Sequence, residues 1–333
     1  MQRLGLAPGT ATSIGSLPHR DATEAARFSL ATLGLPVIPT LPKRSPAEGM
    51  VAQALVGLAG VTVGQYGSIA VDVDAIDPEA PVVTDLNHDS FGGFRAFLDV
   101  AHDYTGPVKW QFIGPVTLGM VLQRAGVAGD LAFEVAVRAV RSHLQQLSSI
   151  VATTLPNSKQ VVFIDEPSLD AMLLPTFPLA PETAIDLMST SLAAVEPNAL
   201  VGLHVCSTAD LPSLLAVGPA VLSVPVTDSV ADAAGYLVRF LEQGGLIAWG
   251  VVPTDGPIAT SVERPWKALN KLWCTLVQRG ADPVLLRQQC IVTPTCGLGA
   301  HSPSVAERVH RLTTELGRRV RDQAEASRFV LGA

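Results

Sequence analysis

The stretch "NALVGLHVC", residues 198–206, decides how the chain is read. Positions 199–203 are apolar or glycine with no polar alternation, the pattern of a short strand covered on both faces. Such strands belong to parallel sheets flanked by helices. The run ends on His204 and Cys206, which lie two residues apart and therefore on the same side of an extended strand. In barrels of alternating strands and helices, chemistry collects at the carboxyl ends of the strands. An oily strand that ends in an imidazole and a thiol therefore suggests a metal site, although a lone H-x-C also describes a hydrogen-bonded histidine near a strand end.

Seven further β-rich apolar runs have the same character: 11–16, 36–42, 108–114, 160–166, 220–226, 246–252 and 290–296. Segments with helical spacing lie between them, at 21–33, 47–58, 130–152, 181–195, 229–243, 261–280 and 304–325. Eight buried strands alternating with helices predict an α/β fold, a TIM (β/α)8 barrel. Residues 59–107 interrupt the rhythm and predict an extra hairpin or a lid over one barrel end. No fixed-period repeat or linker divides the chain, so residues 1–333 are expected to form a single domain.

The chain has 333 residues, 48% of them hydrophobic and 16% charged, enough to bury a large core. Thirty acidic against 23 basic residues give a net charge of −7, so no basic stripe is expected to bind nucleic acid. No run of about 18 apolar residues suggests a membrane span, and the first residues lack the apolar core of a signal peptide. A cytoplasmic protein is expected. Its four cysteines, Cys206, Cys274, Cys290 and Cys296, then read as thiols or metal ligands rather than disulfides. Cys296 closes the eighth run, "CIVTPTC", and could join His204 and Cys206 on one ion, because catalytic zinc takes about three protein ligands. Cys274 and Cys290 read as small buried apolar residues.

In order along the chain, "SIGSLP", "QYGS", "GPVTL", "FIDEPSLD", "HVC" and "TPTCGL" resemble the catalytic C-terminal barrel of cobalamin-independent methionine synthase, in a short, single-barrel form. The resemblance covers about Ser13 to Leu298. It implies a fold of the methionine synthase/uroporphyrinogen decarboxylase type and a zinc-dependent methyltransferase that moves a methyl group onto homocysteine. It also implies that His204, Cys206 and Cys296 hold the zinc. Ile14, Gly15 and Ser16 would bind the substrate, and Asp165 would receive its amino group. Coordination to zinc keeps a thiol deprotonated near neutral pH, which suits sulfur alkylation. The same "IDEP" turn can also be read structurally, with Asp165 or Glu166 capping a helix.

Several positions depart from the family pattern. Pro225 stands where a fourth ligand, a glutamate, is expected, which leaves Asp228, water or the substrate thiol as substitutes. Val121, Ile69 and Ala171 replace the folate clamp, so the expected donor is a methyl-corrinoid, free or on a carrier protein, rather than methyltetrahydrofolate. Lys43 and Arg44 lie where a second carboxylate for the amino group is expected, and would suit an acidic thiol instead. Asp255 is the nearest polar group to the missing proton donor, while His19 and His301 read as solvent-facing loop residues. The expected partner is a small thiol, and the alternatives are transfer to another thiol or a non-catalytic zinc-binding paralogue.

Overall fold

The computed structural model describes residues 5–64, 66 and 68–330. Its strands are β1 (Thr10–Ala11), β2 (Val61–Val63), β3 (Ile69–Val71), β4 (Val108–Ile113), β5 (Gln160–Asp165), β6 (Ala199–His204), β7 (Val221–Pro225), β8 (Leu246–Val252) and β9 (Cys290–Pro294). Seven of these form one sheet in the order β1-β9-β8-β7-β6-β5-β4. Every pairing within it is parallel. The sheet is curled, and helices pack on its convex side, as in a TIM-like α/β fold.

Alternation along the strands separates two cores. Val162, Ile164, Leu203, Leu222, Trp249 and Val292 face outward into the large cluster shared with the helices. Val161, Phe163, Val221, Leu246, Ala248 and Ile291 face the concave side and pack with Leu6 and Leu35. Gly202 makes this inner layer possible, since a Cβ there would sit 2.7 Å from the Phe163 ring on the neighbouring strand.

The helices are α1 (Ala22–Thr32), α2 (Met50–Ala54), α3 (Gly92–Val100), α4 (Pro115–Arg124), α5 (Gly129–Thr154), α6 (Pro181–Ala193), α7 (Leu211–Ala216), α8 (Ala234–Glu242), α9 (Glu263–Gln278), α10 (Pro283–Gln288) and α11 (Pro303–Val330). Their starts follow local chemistry. Asp21 accepts the Glu24 N–H at 2.7 Å to cap α1, and α4, α6, α7 and α10 carry proline in the first turn, where an amide hydrogen has no helical partner.

One difference from the sequence expectation has a physical cause. The run at 36–42 makes only isolated bridges, Val37 with Lys109 and Ser16 with Thr40, because Pro36, Pro39 and Pro42 remove amide donors. Segment 35–40 nevertheless hydrogen-bonds towards both sheet edges: Leu35 N–H to Ala11 O at 3.0 Å, and Ile38 N–H to Lys109 O at 2.7 Å. The insertion does contain a hairpin, β2 with β3. The chain that follows is strapped along α5, where Thr84 Oγ1 meets His143 Nδ1 at 2.7 Å and Val82 O accepts from Ser142 Oγ and Gln146 Nε2. No helix among the described residues is long and apolar enough to cross a membrane.

Candidate active site

At the carboxyl end of the sheet, the sequence-predicted ligands come together from strands far apart in the chain. The pairing of Asp165 on β5 with His204 on β6, and of His204 with Ser223 on β7, puts three polar side chains side by side. Ser223 Oγ lies 2.9 Å from His204 Nδ1 and fixes the ring, so that Nε2 faces Cys206 Sγ at 3.2 Å. Cys206 Sγ in turn lies 3.0 Å from Cys296 Sγ, just beyond β9. The partner that holds Nδ1 sets which imidazole nitrogen is available to the site.

The two thiols share protons unequally. The hydrogen bond from Cys206, helped by His204 and the Gly297 N–H, pulls the Cys296 thiol down, while the same hydrogen bond together with burial pushes Cys206 up. The Cys296 loop is locked against the first strand's loop: Ser16 O accepts from Leu298 N–H at 2.8 Å and Ser16 Oγ from Gly299 N–H at 3.1 Å. A Cβ on Gly297 would strike Ser16 Oγ. That bond to Gly299 uses an acceptor position on Ser16 and leaves its O–H free to donate.

Asp165 is buried and its Oδ1 has no hydrogen-bond partner. Burial pushes its carboxyl up, against the pull of His204 and Lys109. Glu166 plays a capping role, not on the next helix but on an earlier one: it accepts from Val116 N–H, Thr117 N–H and Thr117 Oγ1 at 2.9, 2.8 and 2.6 Å, at the start of α4. A side chain on Gly114 would collide with its carboxylate. Burial raises the Glu166 carboxyl to about 7.

Three site residues escaped the sequence reading: Ser223, Lys109 and Gln111. Lys109 is fully buried, and its Nζ donates to Ile14 O at 2.6 Å and lies 4.3 Å from the Phe163 ring centroid. It thereby braces the segment that holds Ile14, Gly15 and Ser16. Gln111 lies on the same face, its amide filling the space where a Gly15 Cβ would be. The signal was present in "VKWQFIG", whose polar residues alternate with apolar ones, and in the serine of "VLSV".

Other expectations are corrected. Asp228 is 80% exposed and ion-pairs with Lys271 at 2.9 Å, which leaves it no role beside the thiols. Arg44 is committed to Glu48 and Asp89, and Lys43 to the carbonyl of His301, so no free basic pair awaits an acidic thiol. His19 is not solvent-facing: it is buried against Phe28, which stacks on His310, because α1 and α11 close over that loop. Cys274 is exposed on α9, whereas Cys290 is buried as expected. Asp255, on the exposed loop after β8, adds to the rise of the Cys206 thiol. At the three clamp positions, Ile69 is exposed on β3, and Val121 and Ala171 are half-buried. Gln65 and Gly67 of "QYGS" lie outside the described residues.

In this arrangement, no set of three or more His, Cys, Asp or Glu among the described residues has the spread of a preformed metal cage. Donors around a tetrahedral zinc, with bonds of about 2.0–2.3 Å, stand roughly 3.5–3.8 Å apart. The contacts of 3.2 and 3.0 Å between His204, Cys206 and Cys296 are tighter than that by about half an ångström. In residue type the three match the imidazole and thiolate donors that zinc takes.

No protein-family model matches the chain, and no curated protein matches it in sequence. Among solved structures, the chain resembles a protein from Listeria monocytogenes provisionally assigned as a vitamin-B12-independent methionine synthase. The two are 13% identical with a TM-score of 0.51, over 95% of this chain and 98% of that one. At that identity the likeness concerns the fold. Bee venom hyaluronidase in complex with a hyaluronic acid tetramer follows at 12% identity and a TM-score of 0.35, over 75% of this chain and 78% of that one, too low to bear on the site.

Proposed function

We propose that the chain is a zinc-dependent methyltransferase that methylates the thiol of homocysteine to give methionine, with a methyl-corrinoid rather than methyltetrahydrofolate as donor. On this reading, residues 1–333 form one barrel, with segment 35–40 as its second strand, closed between β1 and β4. The observation that carries the proposal is the convergence of His204, Cys206 and Cys296 from two separate strand ends beside buried Asp165. The fold shared with a protein assigned to methionine synthesis supports it.

His204, Cys206 and Cys296 would hold the metal, which would keep a substrate thiol deprotonated and nucleophilic near neutral pH. The chain's own residues do the remaining work. Ser223 keeps Nε2 of His204 towards the thiols, and Lys109 braces Ile14 so that the Ser16 O–H can donate to the substrate carboxylate. Asp165 receives the substrate ammonium. The substrate sulfur then forms its bond to the methyl carbon as the methyl–donor bond breaks, with that electron pair staying on the donor and the thiol proton released to solvent. The apolar residues Val121, Ile69 and Ala171 favour a donor that needs no aromatic or charged clamp.

The test is methionine formed per unit time from homocysteine, with methylcobalamin and methyltetrahydrofolate supplied separately at equal concentration. Faster transfer from the corrinoid, abolished by His204→Ala, is the expected result. Faster transfer from the folate would overturn the donor assignment. No transfer from either donor would overturn the methyltransferase reading.

A further inference from the structure

Buried polar side-chain atoms nearly always have hydrogen-bond partners, and each exception calls for an account such as a ligand. Two exceptions face the same concavity. Gln111 Oε1 and Asp165 Oδ1 are both buried and both without a partner. They belong to adjacent strands. Gln111 pairs with Phe163 in the β4–β5 register, and Asp165 lies two residues beyond Phe163 on the same face, so the two side chains are diagonal neighbours. The Gln111 amide is seated against Gly15, in the segment proposed to bind the substrate carboxylate. Lys109, one step lower on the same face, already donates to Ile14 O. Arg44, half-buried in the loop after residue 40, is held by Glu48 and Asp89.

An acceptor pair of this kind, one charged and one neutral, suits a primary ammonium, whose several N–H donors need more than one oxygen. We propose that Gln111 is a second recognition residue for the α-ammonium group of the substrate, which it shares with Asp165. The proposal rests on the amino-acid thiol reading above and extends it: the site would select an α-amino acid thiol over a simple mercapto acid. Gln111 takes the part of the second carboxylate that the loop after residue 40 does not supply, because the acid buried there, Glu48, is committed to Arg44 and to the amides of Leu41 and Gly93.

The experiment compares the dissociation constants of L-homocysteine and 4-mercaptobutanoate, the same thiol acid without its ammonium group, by titration calorimetry on the protein as purified. Wild type should prefer homocysteine at least roughly tenfold. Gln111→Leu should weaken homocysteine by roughly tenfold to a hundredfold, the worth of a hydrogen bond to a charged group, and leave 4-mercaptobutanoate almost unchanged. Gln111→Glu, which keeps an acceptor and adds negative charge, should retain or enlarge the preference, and it serves as the test if the leucine variant does not fold. Loss of affinity for both thiols alike, or for neither, in Gln111→Leu would overturn the assignment. So would loss of the preference in Gln111→Glu, since the amide would then be a donor to the carboxylate. Equal binding of the two thiols by wild type would overturn the inference while the thiol reading stands, and binding of neither would overturn both.

Discussion

Phe163 and Asp165 lie on the same strand and the same face, two residues apart, and do opposite things. The same step separates Gly202 from His204, Val221 from Ser223 and Ile291 from Thr293. The lower member of each pair belongs to a closed apolar layer on the concave side of the sheet. The upper member is polar, and at Asp165 it is left without a full set of partners. The strand's period of two decides which face a residue occupies, and height along the strand decides whether it holds the fold or is available to a ligand.

Breaking the lower layer should cost stability most. Phe163→Ala removes the largest side chain of that layer and should destabilise the protein by ~3–5 kcal/mol, read from urea unfolding. A loss below ~1 kcal/mol would mean that the layer is not packed as described. Gly202→Ala crowds the same ring and should cost ~1–3 kcal/mol by the same measurement.

His204 faces the concavity, whereas His143, on α5 on the helical side, is buried against Phe112 and held by Thr84. Burial lowers His143 to about 4 from an ordinary value of 6.5. The folded protein therefore resists a proton that the unfolded chain accepts, so this contribution is fully present above pH 6.5 and is lost as pH falls towards about 4. Glu166 acts with the opposite sign: its raised carboxyl favours the fold below its ordinary value, 4.5, and that advantage disappears as pH rises through about 7. His143→Gln should flatten the acid-side loss of stability by up to ~1.4 kcal/mol per pH unit, measured by urea unfolding between pH 4 and 7. An unchanged slope would place that imidazole in contact with water. The smallest effect is expected at Asp228→Ala, which breaks only an exposed ion pair and should change stability by less than ~0.5 kcal/mol and metal content not at all.

The strands were legible because a doubly covered strand writes itself as an unbroken apolar run: five of the later runs, from residue 160 onward, match β5–β9 to within two residues at each end. The run at 36–42 was less so, since three prolines keep its apolar pattern while removing the hydrogen bonds that define a strand. Short helices such as α4, α7 and α10 have too few turns to show a period, and only their first-turn prolines announce them. At the site, the strand-end rule was enough to single out His204, Cys206 and Cys296, whereas Asp165 came only with the family resemblance. The rule could not find Lys109 and Gln111, which lie lower on β4, where polar residues within an apolar strand have meaning only once the concavity is known. Nor could it reveal that Arg44, Lys43 and Asp228 already have partners, because those contacts join residues distant in the chain or across a loop.

The central claim is that His204, Cys206 and Cys296 form one zinc site. Elemental analysis of the purified protein tests it most directly, comparing wild type with the Cys206→Ser/Cys296→Ser double variant and with each protein's fold checked by circular dichroism. About one zinc per chain in wild type and almost none in a folded double variant is the predicted result. Equal zinc in both, or none in wild type even after exposure to zinc, would contradict the account.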